Sequence, residues 1–259
     1  MVKLPNAATL VQHNSAENVE REEPWPALIF DPLDQLSEDN MMVVGQIGQT
    51  IDGRIATVTG QSKYINGPSG LLHLHRLRAI VDAVIVGVGT VIADDPQLTV
   101  RLAKGPHPAR VVIDPNHRLR PDLKIFNDDG VRRVVITKQG HAYPASDGIE
   151  ILYLPTEEDG RISPAAILQS LAAIGLRRIL IEGGADTVSR FMHAGCLDRL
   201  HVIVAPIIMG SGRASFCLPA IEHMDQAHRL AVHTHKLDNE LLFDCDLAAL
   251  RQRRIDSSA

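Results

Sequence analysis

The feature that most constrains the fold is an alternation between short apolar segments and longer segments with helical spacing. Strands that are buried on both faces read as continuous apolar runs, and helices between them set neighbouring strands parallel. The chain therefore predicts an α/β fold with a mixed, mainly parallel sheet flanked by helices on both faces. The predicted strands are Met41–Ile47, Asp82–Gly87, Arg110–Asp114, Arg133–Thr137, Ile149–Leu154, Arg178–Glu182 and His201–Ala205.

Start and stop residues predict the helices between these strands. Leu71–Ile80 follows a proline start signal. Ser163 and Pro164 open another helix: we expect the serine side chain to cap free amides, and proline is tolerated at the first helical position because the N–H it lacks would be unpaired there. Gly175 is expected to end that helix. Ala185–Ala194 predicts a further helix that stops at Gly195, and Leu230–His235 and Leu241–Leu247 predict a closing antiparallel pair.

The two ends of the chain are predicted to lie outside the core. Residues 1–40 are polar and broken by prolines, so we expect an N-terminal extension. Residues 41–250 hold the predicted strands and form the domain, and residues 251–259 form a C-terminal tail. The arginine cluster that begins at Arg251 is interpreted as a solvated end.

Composition and charge exclude several classes of protein. A net charge of −5 leaves no basic stripe for a nucleic acid, and 3% aromatic residues are too few for a base-stacking platform. The three cysteines form no CxxC pair, so they indicate neither a metal site nor a disulfide framework. No apolar run reaches the roughly 18–20 residues that cross a bilayer, and no secretory signal is visible. We expect a cytoplasmic protein without membrane partners.

Motifs of several enzyme classes are missing from the sequence. It contains no HExxH, no HxE with PCxxC, no GxSxG and no GxxxxGK[ST], which argues against zinc proteases, zinc deaminases, α/β-hydrolases and P-loop nucleotidases. His73 and His75 are two residues apart on a predicted helix and so do not share a face. The other histidines, including His201, are interpreted as surface or hydrogen-bonded side chains.

Two glycine-containing segments follow predicted strands. Gly87–Thr90 fits either a tight strand-to-helix turn or a short helix from Thr90 that presents its amides to an anion. Glu182–Ala185 places paired glycines at a helix N-terminus, where free N–H groups and the helix dipole attract a pyrophosphate. Neither segment has the GxGxxG spacing of a Rossmann unit, so a dinucleotide would need another α/β arrangement.

Two acidic segments are candidates for turns or for chemistry. Asp52 and Gly53 form a turn signal that is typical of a hairpin. Asp94 and Asp95 precede a proline, and one carboxylate is expected to cap a helix or begin a turn. The other is expected to contact a polar substrate or transfer a proton. The spacing does not decide which carboxylate does which.

Taken in order, five segments resemble one protein family. They are TIDGRIAT, GQSKYI, HRLRAIVDAVIVGVGTVIADDPQLTVR, IEGGADTVSRFMHAGCLDRL and VIVAPIIMGSG. They look like the C-terminal reductase domain of the bifunctional riboflavin-biosynthesis deaminase/reductase, over about Met41 to Leu247. The resemblance implies a dihydrofolate-reductase-like fold, usually a homodimer. It also implies that NADPH reduces the ribosyl group of a ribosylamino-pyrimidine 5′-phosphate to a ribityl chain, with hydride delivered to the C1′ imine.

The resemblance implies roles for polar residues around the substrate. Lys63 and Asp94 are the implied catalytic residues, and either side chain can protonate nitrogen as hydride reaches carbon. The two implied arginines suit a phosphate, because guanidinium groups make forked, charge-assisted hydrogen bonds. The implied substrate-binding residues are Ser62, Arg78, Leu98, Arg101 and Glu182.

A further set of positions resembles the cofactor site of the family. NADPH differs from NADH by a 2′-phosphate that needs a polar or positive contact, and Thr137 and Lys138 after a central strand are candidates for it. The implied cofactor-binding residues are Gly48, Tyr64, Gly89, Thr90, Asp94, Thr137, Lys138, Gly183, Gly184, Ala185, Asp186 and Thr187.

The sequence departs from the family pattern in three places. Tyr64 stands where the family often has tryptophan, and Thr50 where it often has serine. The deaminase half is expected to be missing, because residues 1–40 are too short for it and lack zinc ligands, so a separate deaminase is expected. Alternative functions are reduction before deamination, on the diaminopyrimidinone phosphate, a pteridine or dihydrofolate-type reductase, and a non-catalytic NADP(H)-binding regulatory protein.

Overall fold

A computed structural model describes residues 27–36, 40–63, 65–140, 142–143 and 148–258. Its strands are β1 (Met42–Thr50), β2 (Arg54–Ala56), β3 (Ala83–Gly87), β4 (Ala109–Ile113), β5 (Arg133–Lys138), β6 (Ile149–Leu154), β7 (Arg178–Ile181), β8 (Arg199–Ala205), β9 (Arg213–Ala214), β10 (Ala231–Leu237) and β11 (Glu240–Asp246). Nine of them form one sheet in the order β10-β11-β8-β1-β7-β3-β4-β5-β6, and β2 pairs with β9 in a small second sheet.

The large sheet is mainly parallel, as the sequence predicts. From β8 through β1, β7, β3, β4 and β5 to β6, each neighbouring pair is parallel. Strands β10 and β11 form the predicted antiparallel pair, and β11 also joins β8 antiparallel. Strand β1 is longer than predicted because its pairing with β8 continues to Thr50 opposite Ala205.

Helices cover both faces of the sheet. They are α1 (Ala27–Phe30), α2 (Pro68–Ile80), α3 (Val88–Asp94), α4 (Pro164–Ala173), α5 (Ala185–His193) and α6 (Ala248–Ser258). Helices α4 and α5 contribute buried residues to one core cluster, and α1, α2 and α3 contribute to the other. Successive strand residues alternate between the clusters: Val43 belongs to the first and Val44 to the second. This alternation follows from the two-residue period of a strand.

The ends of the helices agree with the sequence signals in part. Gly175 has a φ of +86°, and the amide of Leu176 donates to the carbonyl of Leu171 at 2.9 Å, which closes α4 as a Schellman motif. The expectation for Ser163 is wrong in one respect. Ser163 lies at the N-cap of α4, but its side chain makes no capping hydrogen bond, so the helix starts on proline and backbone geometry alone.

The Asp52-Gly53 turn exists, but it does not make a hairpin. Gly53 has a φ of +71°, and its amide donates to the carbonyl of Thr50 at 3.0 Å. The chain then leaves the large sheet, because β2 pairs with β9 instead of returning along β1. The turn therefore positions a second, small sheet beside the carboxyl end of β1.

The described parts of both chain ends pack onto the domain. Ile29, Phe30 and Leu33 of the N-terminal region are buried in the core cluster of α2 and α3. The interpretation of Arg251 as a solvated tail residue is wrong, because its side chain is 1% exposed. Its guanidinium lies 2.8 Å from the Asp198 carboxylate, which also accepts the amide of Val43 at 2.7 Å. The boundary expected after residue 250 thus falls inside α6.

A search of the described residues for membrane spans finds no helix that is both long and apolar enough to cross a bilayer.

We expect Arg251→Ala to lower the free energy of unfolding by about 3–5 kcal/mol, because it removes a buried guanidinium that pairs with the buried Asp198 carboxylate. Arg253→Ala, at an exposed position of the same helix, is the matched control and should change stability by less than about 0.5 kcal/mol. Urea unfolding measures both values. Equal, small effects of the two substitutions would contradict the structural role given to α6.

Candidate active site at the carboxyl ends of the strands

The candidate site lies where the parallel strands β1, β3 and β7 end. Ligands of open α/β sheets bind at this edge. Helix α3 follows β3, and the connection after β7 includes Gly183. The chain after β2 brings Ser62 and Lys63 to the same region. There the Ser62 hydroxyl reaches Asp94 at the end of α3. The fold therefore gathers residues that are far apart in sequence.

The two glycine segments form one unit around Thr90. Gly183 has a φ of +98°, a conformation that favours glycine, and a Cβ there would lie 2.8 Å from the Thr90 hydroxyl oxygen. That oxygen accepts the amide of Gly184 at 2.9 Å. Gly89 has open space beside it. Helix α3 begins at Val88, two residues before the predicted start, and its Thr90 fixes the turn that leads into α5.

The start of α5 keeps the character of an anion site. Gly184 is its N-cap, and Ala185, Asp186 and Thr187 form its first turn. The first amides of a helix have no acceptor within the helix, and the dipole makes this end positive. Ala185 is buried and Thr187 is half-buried, whereas Asp186 is exposed and lies 3.0 Å from the Arg161 guanidinium. Arg161 has no place in any sequence motif.

Arg78 and Glu182 are both buried and hold each other. The Arg78 guanidinium donates to the two Glu182 oxygens at 2.7 Å each and to the Thr99 carbonyl at 3.1 Å. Burial alone lowers the Arg78 pKa, but the charge and hydrogen bonds of Glu182 more than offset this and raise it. These bonds use three of the five guanidinium N–H groups, and burial leaves little of the side chain open to a substrate phosphate. The geometry therefore favours a brace between α2 and β7 over the predicted direct grip on substrate.

The segment from Asp95 to Arg101 is held in an unusual backbone conformation. Asp95 and Leu98 have φ values of +41° and +54°, which cost non-glycine residues roughly 1–3 kcal/mol each. The surrounding structure fixes the segment: the amide of Val100 donates to His107, and that of Arg101 donates to His75 at 2.9 Å. The side chain of Leu98 is buried in the core, so only its backbone is available to a ligand.

The structure separates the roles of the two adjacent aspartates. Asp95 is the C-cap of α3, and its carboxylate accepts the amide of Lys124 at 2.8 Å and pairs with the Lys124 ammonium at 3.0 Å. These bonds lower the pKa of Asp95. Asp94 is exposed, and its carboxylate accepts the Ser62 hydroxyl at 3.4 Å. Of the pair, Asp94 is the carboxylate available to substrate.

Lys63 and Arg101 are exposed near these groups. Arg101 donates to the Gln97 side chain at 2.9 Å and to the Thr99 hydroxyl at 2.8 Å, both through one guanidinium nitrogen. Its side chain is therefore oriented by neighbours at the surface and is not buried in an ion pair. Arg101 remains the arginine that geometry offers to an anionic ligand. Tyr64, the predicted cofactor wall, lies outside the described residues.

Two predicted cofactor residues have the space beside them taken up by the protein itself. Thr137 is fully buried, and its hydroxyl donates to the carbonyl of Asp114 at 2.9 Å, so the interpretation as a 2′-phosphate contact is wrong for this residue. A Cβ on Gly48 would collide with the side chain of Asn66, which fills that space. Lys138, by contrast, is half-buried, and its ammonium donates to Asn116 at 3.1 Å.

Sequence reasoning missed two carboxylates that organise the site. Glu240 at the start of β11 is buried and accepts the amides of Gly67 and Gly70 at 3.0 Å each, so it caps α2. Asp52 accepts the Thr50 hydroxyl at 2.6 Å and the amides of Met209 and Gly210, which lowers its pKa to about 2. A turn signal marked Asp52, but no local pattern marks contacts over such separations.

Most of the described region also matches a known family. The model of the RibD C-terminal domain family matches residues 41–243. The chain belongs to this family. The sequence is 33% identical to the riboflavin biosynthesis protein RibD of Aquifex aeolicus over 81% of this chain and 57% of that protein. It is 30% identical to the 2,5-diamino-6-ribosylamino-4(3H)-pyrimidinone 5′-phosphate reductase of Methanothermobacter thermautotrophicus, over 78% of this chain and 96% of that protein.

Solved structures of RibD proteins and related reductases share the fold. The deaminase/5-amino-6-(5-phosphoribosylamino)uracil reductase of Thermotoga maritima matches 85% of this chain and 58% of its own, with a TM-score of 0.69 and 26% identity. The match to the Saccharomyces cerevisiae riboflavin biosynthesis reductase Rib7 covers 85% of this chain and 98% of that protein, with a TM-score of 0.71 and 18% identity. The chain thus spans somewhat more than half of its RibD relatives, and the predicted dihydrofolate-reductase-like fold is confirmed.

The contact between His75 and Arg101 makes stability depend on pH. Burial, and then the charges of Arg78 and Arg101, lower the His75 pKa from 6.5 to about 4. Between these values the unfolded chain binds a proton that the folded chain does not, so stability falls as the pH drops from 6.5 towards 4. We expect the slope for His75→Gln in this window to be smaller by up to about 1.4 kcal/mol per pH unit.

Urea unfolding of both proteins at half-unit pH steps measures the two slopes. His107→Gln is the control, because His107 accepts the amide of Val100 in the same segment but is exposed. A wild-type slope retained in His75→Gln would disprove the assignment.

Proposed function

We propose that this chain is an NADPH-dependent reductase of a phosphorylated ribosylamino-pyrimidine, acting in riboflavin biosynthesis. The observation that carries the proposal is the position of α3. Its Thr90 holds the glycine turn of the cofactor side, and its last residue, Asp94, meets Ser62 on the substrate side. One short helix therefore joins the proposed anion-binding turn to a cluster of exposed polar groups. The type of reaction is inferred from relatives that are named as reductases.

The residues at the cofactor side fit a nicotinamide dinucleotide. Gly183 and Gly184 let the turn pack closely against Thr90. We assign the pyrophosphate to the amides of Ala185 and Asp186 at the start of α5. Lys138, at the end of β5, is the cation that we assign to the 2′-phosphate and hence to the preference for NADPH. The dinucleotide supplies hydride, and the protein binds and orients it.

The substrate side offers Arg101 and three further polar groups. We assign the phosphate to Arg101, whose guanidinium is exposed, and the ribose and pyrimidine to Ser62, Lys63 and Asp94. As C1′ gains hydride, the attached nitrogen gains a proton, and Lys63 or Asp94 provides it. Arg78 and Glu182 act indirectly, since Arg78, held by Glu182, donates to the Thr99 carbonyl and so fixes the segment that carries Arg101.

Comparing Arg78→Ala with Arg101→Ala separates these roles. Loss of Arg78 leaves Glu182 buried and unpaired, so the free energy of unfolding should fall by about 3–5 kcal/mol. Loss of the exposed Arg101 should change it by less than about 0.5 kcal/mol, yet raise the KM for substrate at least tenfold and leave the KM for NADPH unchanged. Unfolding curves and steady-state kinetics test both, and an unchanged substrate KM in Arg101→Ala would remove this residue from the site.

A second candidate substrate is the pyrimidine before deamination. The stand-alone relatives from Methanothermobacter thermautotrophicus and Archaeoglobus fulgidus are named as reductases of the 2,5-diaminopyrimidinone, and the matches cover 96% and 81% of their lengths. The RibD relatives are matched over a smaller share of their length, 57% in Aquifex aeolicus. Full-length similarity therefore favours the diamino substrate as the alternative to the uracil.

Two further alternatives make different demands on the site. A pteridine or dihydrofolate-type reductase needs a flat apolar slot and no phosphate grip, whereas Arg101 and Lys63 place cations at this edge. A non-catalytic NADP(H)-binding regulator would bind cofactor without turning over any pyrimidine. Exposed polar groups such as Asp94 and Ser62, which bond each other, would then have no substrate to bind.

The decisive experiment is NADPH oxidation by the purified protein with substrate made in the same tube. GTP cyclohydrolase supplies the diamino compound, and a separate deaminase is added to one tube and omitted from the other. We expect oxidation only with the deaminase, and oxidation without it would assign the diamino substrate. NADPH binding with no oxidation in either tube would overturn the proposed reductase and favour the binding protein.

The proposal carries expectations about partners and location. We expect a homodimer, as the family resemblance implies, and a deaminase as a partner in the pathway. We also expect a cytoplasmic enzyme, where NADPH and phosphorylated intermediates are held. Light scattering of the purified protein tests the first expectation directly.

A further inference from the structure

Arg161 is a cation at the edge of the cofactor turn that the proposed function has not used. It lies in the connection between β6 and α4. Its guanidinium reaches Asp186 in the first turn of α5 at 3.0 Å and Asp159 in its own loop at 3.7 Å. Half of the Arg161 side chain is exposed, and so is most of the Asp186 side chain. Exposed ion pairs of this kind contribute little to stability, so the pair can be exchanged for another partner at small cost.

The backbone that carries Arg161 is fixed, although its side chain is at the surface. Its carbonyl accepts the amide of Glu157 at 2.7 Å, and its own amide donates to Asp159 at 2.9 Å. The next residue, Ile162, is fully buried, and its carbonyl accepts the Arg190 side chain at 2.9 Å. The guanidinium is therefore presented to the start of α5 from a rigid base.

The negative charge of Asp186 would repel a pyrophosphate at this helix end, and Arg161 neutralises that charge. A carboxylate in the first turn of a helix is stabilised by the dipole. That same positive end, beside Gly183 and Gly184, is what a pyrophosphate needs, and two anions at one helix end repel each other. Arg161 neutralises the carboxylate, and its several donors can also bind phosphate oxygens in a forked arrangement.

We propose that Arg161 is a cofactor-binding residue that turns from Asp186 to the pyrophosphate as the dinucleotide docks on the glycine turn. The inference rests on the proposed function, since it needs a dinucleotide at this turn. Asp186 then acts as a placeholder that keeps the guanidinium at the site before the cofactor arrives. Removing the arginine and removing the aspartate should therefore have opposite effects on cofactor affinity.

The test measures NADPH affinity by the fluorescence change on titration, at 50 and 300 mM salt. The proteins are wild type, Arg161→Ala, Asp186→Asn, the double variant and Arg132→Ala. Arg132 is the matched control: it also pairs with an exposed carboxylate, Glu150 at 2.8 Å, but at the amino ends of β5 and β6. Competition by inorganic pyrophosphate against bound NADPH is measured for each protein.

Arg161→Ala should weaken NADPH binding about tenfold at low salt, less at high salt, with a parallel loss of pyrophosphate competition. Asp186→Asn should bind NADPH at least as tightly as wild type, and Arg132→Ala should equal wild type. The double variant should lie between the two single ones. Thermal unfolding of each variant checks that affinity is compared among folded proteins.

Three results would overturn the proposal, and they are distinguishable. If Asp186→Asn weakens NADPH binding as much as Arg161→Ala does, the ion pair only stabilises the contact between the β6–α4 connection and α5. If Arg161→Ala binds as wild type does, the guanidinium does not touch the cofactor, while the proposed function stands. If wild type itself binds no NADPH, the cofactor assignment falls, and this inference falls with it.

Discussion

The buried ion pair of Arg78 and Glu182 is the contact on which the geometry of the candidate site depends. Glu182 directly precedes Gly183, and Arg78 also binds the carbonyl of Thr99. One guanidinium thus fixes the glycine turn after β7 relative to the strained segment that ends in Arg101. Because a charge buried without its partner costs several kcal/mol, the pair forces these parts to keep one arrangement. The turn proposed to bind cofactor and the segment proposed to bind substrate are thus held by the same guanidinium.

Polar residues at this edge divide into those that the fold uses and those that it leaves to solvent. Asp95, Thr137, Glu182 and Arg78 are satisfied by internal partners, as buried polar groups must be. Lys63, Asp94, Arg101, Lys138 and Arg161 keep exposed or half-exposed side chains. The first set stabilises the backbone at this edge, and the second set extends from that backbone towards solvent. This division identifies ligand-facing residues better than their type does, since both sets contain cations and carboxylates.

Local patterns predicted the fold closely, because strand burial and helix ends leave local signals. The β-branched runs located the strands from β3 to β8, and Gly175 marked the end of α4. The site was predicted by resemblance as a set of positions, without the bonds among them. The pairing of Arg78 with Glu182, the cap that Glu240 gives α2 and the anchoring by Asp52 join residues more than 100 apart. Neither spacing nor composition encodes such contacts. The sequence therefore could not distinguish a residue that stabilises the site from one that binds a ligand.

The cap of α2 has a consequence for the order in which the chain acquires structure. The amide of Gly67 depends on the carboxylate of Glu240, 173 residues later, and β1 receives both of its neighbours only when β7 and β8 exist. During synthesis α2 and β1 therefore leave the ribosome long before their partners. Contacts of such high sequence separation make folding slow and keep unpaired strand edges exposed. The nascent chain consequently cannot complete its sheet until the hairpin of β10 and β11 has emerged. Until then it depends on protection from aggregation.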